Sequence, residues 1–126
     1  MTTIPITTTF IAVYVIALVP MTGWVGLLRG ELDVLRGHGN DPVLEKRIRI
    51  HGNFVENAPA MAFVLGASEL LGTAAWALWL AAISFFAGRF MHYVLYDAKS
   101  RAVAMSITQF PAALLAVWCL YSIYIA

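Results

Sequence analysis

The sequence predicts an all-α integral membrane protein: four helices in one left-handed, antiparallel bundle, with residues 1–126 as a single domain. Three observations predict it. Hydrophobic residues make up 61% of the 126 and charged residues 12%, with a mean hydropathy of +0.79; a soluble domain is nearer half apolar and a quarter charged, so a chain this short has too little interior to hide its apolar side chains. Uncharged runs cover residues 1–28, Leu70–Gly88 and Ala102–Ala126, each near or above the ~20 residues that cross about 30 Å of hydrocarbon as a helix. The basic residues gather in two of the three connections, as a bundle with an even number of crossings requires.

The first helix is expected at about 4–28. No basic segment precedes it and no small-residue cleavage pattern follows it, so it reads as a retained span rather than a signal peptide. The stretch GHGNDP at 37–42 is loop chemistry, and Asp41-Pro42 followed by Glu45 marks a helix start, with acid near the positive end of the helix dipole. The second helix, 45–71, is decided by charge placement. Only 12 residues between Glu56 and Glu69 are uncharged, so it crosses only by carrying Asn53 and Glu56 into the bilayer. With four spans, Arg29, Arg36, Lys46, Arg47, Arg49, Lys99 and Arg101 share the cytoplasmic side; with three, Lys99 and Arg101 lie on the wrong one. Both termini are then non-cytoplasmic. A short turn at Leu71-Gly72-Thr73 makes the third helix, 74–96, an antiparallel neighbour of the second. The fourth runs over 102–125. Pro20, Pro59 and Pro111 fall inside spans, where neighbouring helices support a kink.

Several function classes receive no support. No basic run interleaved with aromatics points to nucleic acid, and no Gly-rich phosphate loop is present. The single cysteine, Cys119, excludes an intrachain disulfide framework and reads as a packing residue. His38, His51 and His92 lack ligand spacing, so no metal is expected. Glu69 reads as an interfacial residue at the outer end of helix 2, and the four tryptophans as interface or packing residues.

The polar positions within spans carry the functional signal. Arg49, Asn53 and Glu56 are spaced i, i+4, i+7 and share one face of helix 2. Arg89 and Tyr96 are spaced i, i+7 in helix 3, with His92 and Tyr93 between them. Arg89 lies about 10 Å deeper than Tyr96 at 1.5 Å per residue, a depth comparable to that of Glu56. A charge at the bilayer centre costs about 3 kcal/mol on insertion scales, so such groups face protein or a wet cavity. In one reading Glu56 and Arg89 pair to fix the bundle, with Asn53 as interhelical glue. That leaves a surplus, because Arg29, Arg49, Arg89 and Arg101 outnumber the acid beside them. In the other reading the cluster receives a small, multiply anionic ligand with a cationic end for Glu56.

The pattern Arg49-x-x-x-Asn53-x-x-Glu56-x-x-Pro59, followed in helix 3 by Arg89 and Tyr96, resembles the signature of the MAPEG family, the membrane-associated proteins in eicosanoid and glutathione metabolism. The resemblance covers essentially the whole chain and is strongest to the short bacterial branch. It implies a homotrimer in the bacterial inner membrane that binds glutathione between neighbouring subunits near the cytoplasmic face, in contact with membrane lipids and with lipophilic small molecules from the bilayer. It places Arg49, Asn53 and Glu56 on glutathione's carboxylates and amine. Arg89 and Tyr96 form the pocket wall, Arg29, His92 and Tyr93 join the binding set, and Arg101 faces the thiol. The chemistry is consistent with this. Glutathione has two carboxylates and one ammonium, and Arg grips carboxylates with a planar fork while keeping its charge. A cation beside a thiol of ordinary pKa about 8.5 stabilises the reactive thiolate, each unit of lowering needing about 1.4 kcal/mol. The sequence departs from the family pattern at Asn57 and His92, where tyrosines are common, and in the short connection between Tyr96 and Arg101, which leaves Lys99 as an alternative to Arg101.

Three functions follow. The first is a glutathione transferase or peroxidase that attacks lipophilic electrophiles or peroxides in detoxification. The second is a non-catalytic regulator or scaffold of the same fold. The third is a small multidrug-type transporter using Glu56 as its coupling carboxylate, against which the arginine surplus argues.

Overall fold

A computed structural model describes residues 3–126. The chain forms four helices: α1 (Pro5–Leu32), α2 (Pro42–Leu70), α3 (Ala75–Val94) and α4 (Arg101–Tyr124). The described residues contain no strand.

Each helix end has a local cause. α1 starts with Pro5 in its first turn, where the missing N–H costs nothing. Its free N–H groups are met from another helix: Glu69 of α2 accepts from the Ile6 N–H at 2.9 Å and the Thr7 N–H at 2.8 Å, and the Thr7 hydroxyl donates to it at 2.7 Å. Glu69 is therefore a cap supplied across the bundle and not simply an interfacial residue. α1 runs four residues past the expected 28, through Arg29-Gly30-Glu31-Leu32, and stops where Asp33 takes a left-handed conformation (φ 54°) and the Val34 N–H returns to the Arg29 carbonyl at 3.0 Å. α2 starts at Pro42, with Asp41 as its N-cap accepting from the Leu44 N–H at 2.8 Å, an arrangement typical of helix starts. It ends at Leu70; Gly72 then adopts φ 76°, which a residue without Cβ takes freely, and the Thr73 N–H closes on the Ser68 carbonyl at 3.0 Å.

α3 is shorter than its expected 74–96. The connection to α4 must turn within a few residues, so the helix ends at Val94 and Tyr96 lies in the turn. An ion pair between Lys46 of α2 and Asp97 ties this turn down, and the Lys46 ammonium lies 5.1 Å from the centroid of the Tyr96 ring.

α2 packs against each of the other three helices, whereas α1 and α4 do not meet. α1, α3 and α4 are each long and apolar enough to cross a membrane. The polar helix, α2, has 29 residues, about 44 Å at 1.5 Å per residue, and lies alongside all three. That is where polar groups in a membrane protein find partners. The central core joins Phe10 of α1, Phe54, Ala58, Met61 and Leu65 of α2, Leu78 and Phe85 of α3, and Leu115 of α4. Phe10 meets Phe85 edge-on at 5.1 Å. α3 and α4 approach closely at Gly88, where a Cβ would sit 2.9 Å from both the Ala104 carbonyl oxygen and the Thr108 amide nitrogen. Ile16, Leu27, Phe63, Leu80, Phe90 and Val117 remain exposed around the outside, as a lipid-facing surface requires.

Candidate functional site

At the end of the bundle where α2 and α4 begin and α3 finishes, three helices line an open cavity of about 520 Å³. From α2 come Glu45, Arg49 and Asn53. They sit at i, i+4, i+8 and form one stripe along the helix. His92 comes from the last turn of α3, Tyr96 and Lys99 from the turn after it, and Arg101 from the first position of α4, with Met105 one turn further in.

The cavity's charge is unbalanced. Arg49, Lys99 and Arg101 face it against one carboxylate, Glu45. Lys46 is neutralised by Asp97 outside this set, and theirs is the single ion pair among the described residues. The side chains of Glu45, Arg49, Lys99 and Arg101 have no hydrogen-bond partner among the described residues, whereas the Asn53 amide donates back to the Arg49 carbonyl at 2.9 Å. His92 is buried and meets the Tyr96 ring edge-on at 5.8 Å. The result is a polar hollow with free cations around a fixed imidazole–phenol pair.

The structure brings together five of the residues expected from sequence: Arg49, Asn53, His92, Tyr96 and Arg101. It separates four others. Arg29 turns onto the loop after α1, where Nη1 donates to the Gly37 carbonyl at 2.7 Å and the Val34 carbonyl at 3.3 Å. Glu56 is exposed on the outside of α2. Arg89 is buried behind the cavity wall, with Nε and Nη2 donating to the Thr108 hydroxyl at 3.0 and 2.7 Å and its Nη1 and Nη2 reaching the Asn53 carbonyl at 3.5 Å and the Met105 sulfur at 3.1 Å. Tyr93 lines a different, apolar cavity and packs against Trp24 at 6.0 Å. Glu56 and Arg89 form no ion pair, so the pairing that would have tied them up within one chain is not made. His51 bonds to the Thr22 hydroxyl at 3.1 Å and joins α2 to α1.

Sequence reasoning missed Glu45 as a cavity residue. It reads naturally as an acid at the helix N-terminus, yet its spacing of four from Arg49 and eight from Asn53 already placed it on their stripe.

The sequence that builds this site has relatives. The MAPEG family model matches residues 7–121. The chain belongs to the MAPEG family. Inner membrane protein YecN of Escherichia coli (strain K12) is 38% identical over 66 residues, which cover 52% of this chain and 50% of that protein, so the chain spans about half the length of this relative. Prostaglandin E synthase of Homo sapiens is 32% identical over 124 residues, covering 88% of this chain and 80% of that protein. MAPEG membership accords with the all-α bundle and its apolar exterior, and it extends across α2, the one helix that composition alone does not mark as a span.

Proposed function

We propose that this MAPEG protein binds glutathione in the cavity between α2, α3 and α4 and activates its thiol for attack on lipophilic electrophiles or peroxides. One observation carries the reading: three cations without partners and one carboxylate line a single polar hollow. Glutathione presents the complementary pattern of two carboxylates and one ammonium. Arg49 and Lys99 are suited to the carboxylates, Arg49 through a bidentate fork. Glu45 is suited to the ammonium, and Asn53 and Tyr96 to the peptide's polar groups. Arg101 opens α4, so its guanidinium and the positive end of the helix dipole act together. Both favour a thiolate over a thiol.

Glu56 lies on the exposed side of α2, at a depth where an acid needs protein around it. In a homotrimer a neighbouring subunit would supply that cover, and Glu56 would complete the neighbour's site. The name of the YecN relative supports an inner-membrane location, and the gathering of Lys and Arg supports a cytoplasmic site with both termini on the other side. A relative named as a synthase supports catalysis over a purely structural role.

The test is a glutathione titration of the detergent-solubilised protein, followed by ultraviolet absorbance of bound thiolate and conjugation to an aryl halide. Binding with a thiolate signal that disappears in Arg101→Gln is the expected result. Binding with no thiolate signal in the parent protein would mark a binding-only member. Failure to bind removes the reading.

A further inference from the structure

None of the residues from 94 to 103 is buried, while His92 before them is 6% exposed and Ala104 after them 0%. This strap runs from the end of α3 into the first turn of α4. It carries Tyr96, Lys99 and Arg101, which line the polar cavity. We propose, resting on the glutathione reading of that cavity, that Lys46 and Asp97 are its positioning residues: their ion pair latches the strap to α2, and release of the pair lets the strap lift as a lid.

The three connections are held in different ways. The α1–α2 loop is fixed by Arg29, which donates to the Gly37 and Val34 carbonyls, and by the Asp41 cap. The α2–α3 turn is tied to α4 by the Trp118 indole N–H, which donates to the Thr73 hydroxyl at 2.9 Å. The strap's own backbone bonds are local: the Leu95, Ala98, Arg101 and Val103 N–H groups return to the carbonyls of Met91, Leu95, Ala98 and Ser100. Tyr93, just before it, packs against Trp24 of α1, so the hinge lies after Tyr93. Among the described residues, the one hydrogen bond joining residues 94–103 to α1 or α2 is the bond the Lys46 ammonium donates to Asp97. The same ammonium lies 5.1 Å from the centroid of the Tyr96 ring, so one side chain holds two positions of the strap.

The Lys46 side chain is 35% exposed and that of Asp97 77%. An ion pair this open to water is weak and screened by salt, which suits a latch that opens and closes. Segments that open locally are those with few buried contacts, and a lid completes a site when it shuts and frees product when it opens. Lowered, the strap sets the Tyr96 phenol and the cations of Lys99 and Arg101 against Arg49 and Asn53. Raised, it withdraws all three groups together.

The experiment follows amide hydrogen exchange in the whole protein in a neutral maltoside detergent, first with no ligand present. It compares the parent with Lys46→Met, Asp97→Asn, Lys46→Arg and the Lys46→Met/Asp97→Asn double variant. Either single loss of charge is expected to speed exchange over residues 94–103 about threefold, with the turn at 71–74 and the unfolding temperature unchanged. The double variant is expected to exchange no faster than either single one, and Lys46→Arg to match the parent. High potassium chloride is expected to erase the difference between parent and variants. Unchanged exchange in both single variants overturns the proposal. So does an additive effect in the double variant, or faster exchange spread over all four helices, which would make the ion pair a general brace. Calorimetry with glutathione then joins the latch to the site: Lys46→Met is expected to bind about threefold more weakly and Lys46→Arg to regain the parent's affinity. Equal affinity in Lys46→Met and the parent overturns the positioning role. A parent that binds no glutathione but shows the expected exchange pattern supports the latch and removes only the glutathione reading.

Discussion

Where α1 begins and α2 finishes, the Glu69 carboxylate accepts from the Ile6 and Thr7 N–H groups and from the Thr7 hydroxyl. At the opposite end, where α2 and α4 begin, Glu45, Arg49, Lys99 and Arg101 line a cavity with no side-chain partner among the described residues. Both ends place charge at the margin of a greasy bundle. At the first the charge is used to hold the bundle together; at the second Lys46–Asp97 does that, and the charges around the cavity do not. The difference teaches how to separate structural from ligand-directed polarity: a structural group has its bonding capacity filled from within the chain, while a ligand-directed group faces a cavity with that capacity unfilled.

The contrast predicts unequal consequences of mutation. Glu69→Ala removes an acceptor of three bonds and exposes the start of α1; unfolding in detergent should show a loss of about 3 kcal/mol, with glutathione affinity unchanged. A smaller stability loss with a large affinity loss would reverse the assignment of the two ends. Gly88→Ala tests the frame they share. Its Cβ would press on the backbone at Ala104 and Thr108, and a rigid overpacking of this kind costs about 2 kcal/mol, read as a lower unfolding temperature with weaker binding, because α4 carries Arg101. Arg49→Ala should leave stability within about 0.5 kcal/mol yet weaken glutathione binding about tenfold, or 1.4 kcal/mol, by calorimetry. Lys99→Met gives the smallest effect, about threefold in the same titration, because a flexible ammonium grips a carboxylate less tightly than an arginine fork.

Much of the fold is legible in the residues. The uncharged runs mark α1, α3 and α4, and the alternation of basic connections supplies α2, which hydropathy alone passes over. GHGNDP and Leu71-Gly72 fix two of the turns to within a few residues. The site is only partly legible, because spacing states which residues share a helix face but not which neighbour that face meets. Arg49 and Asn53 reach the cavity, whereas Glu56, on the same nominal face, lies outside it. Arg89 turns onto Thr108 because Gly88 lets α4 close in beside it, and nothing in the spacing of Arg89 and Tyr96 encodes that rotation. Tyr96 leaves the helix because the connection is too short to be anything but a turn. Arg29 is drawn away by carbonyls of the following loop. The Glu69 cap joins residues more than 60 positions apart and so leaves no local trace.

The central claim is that the cations around the α2–α3–α4 cavity serve a ligand and not the bundle. The most direct measurement is thermal unfolding of the parent protein and of an Arg49→Ala/Arg101→Ala double variant, each with and without saturating glutathione. The account predicts equal unfolding temperatures without glutathione and a rise on adding it to the parent alone. A double variant that is already unstable without glutathione, beside a parent that does not respond to it, would contradict the claim.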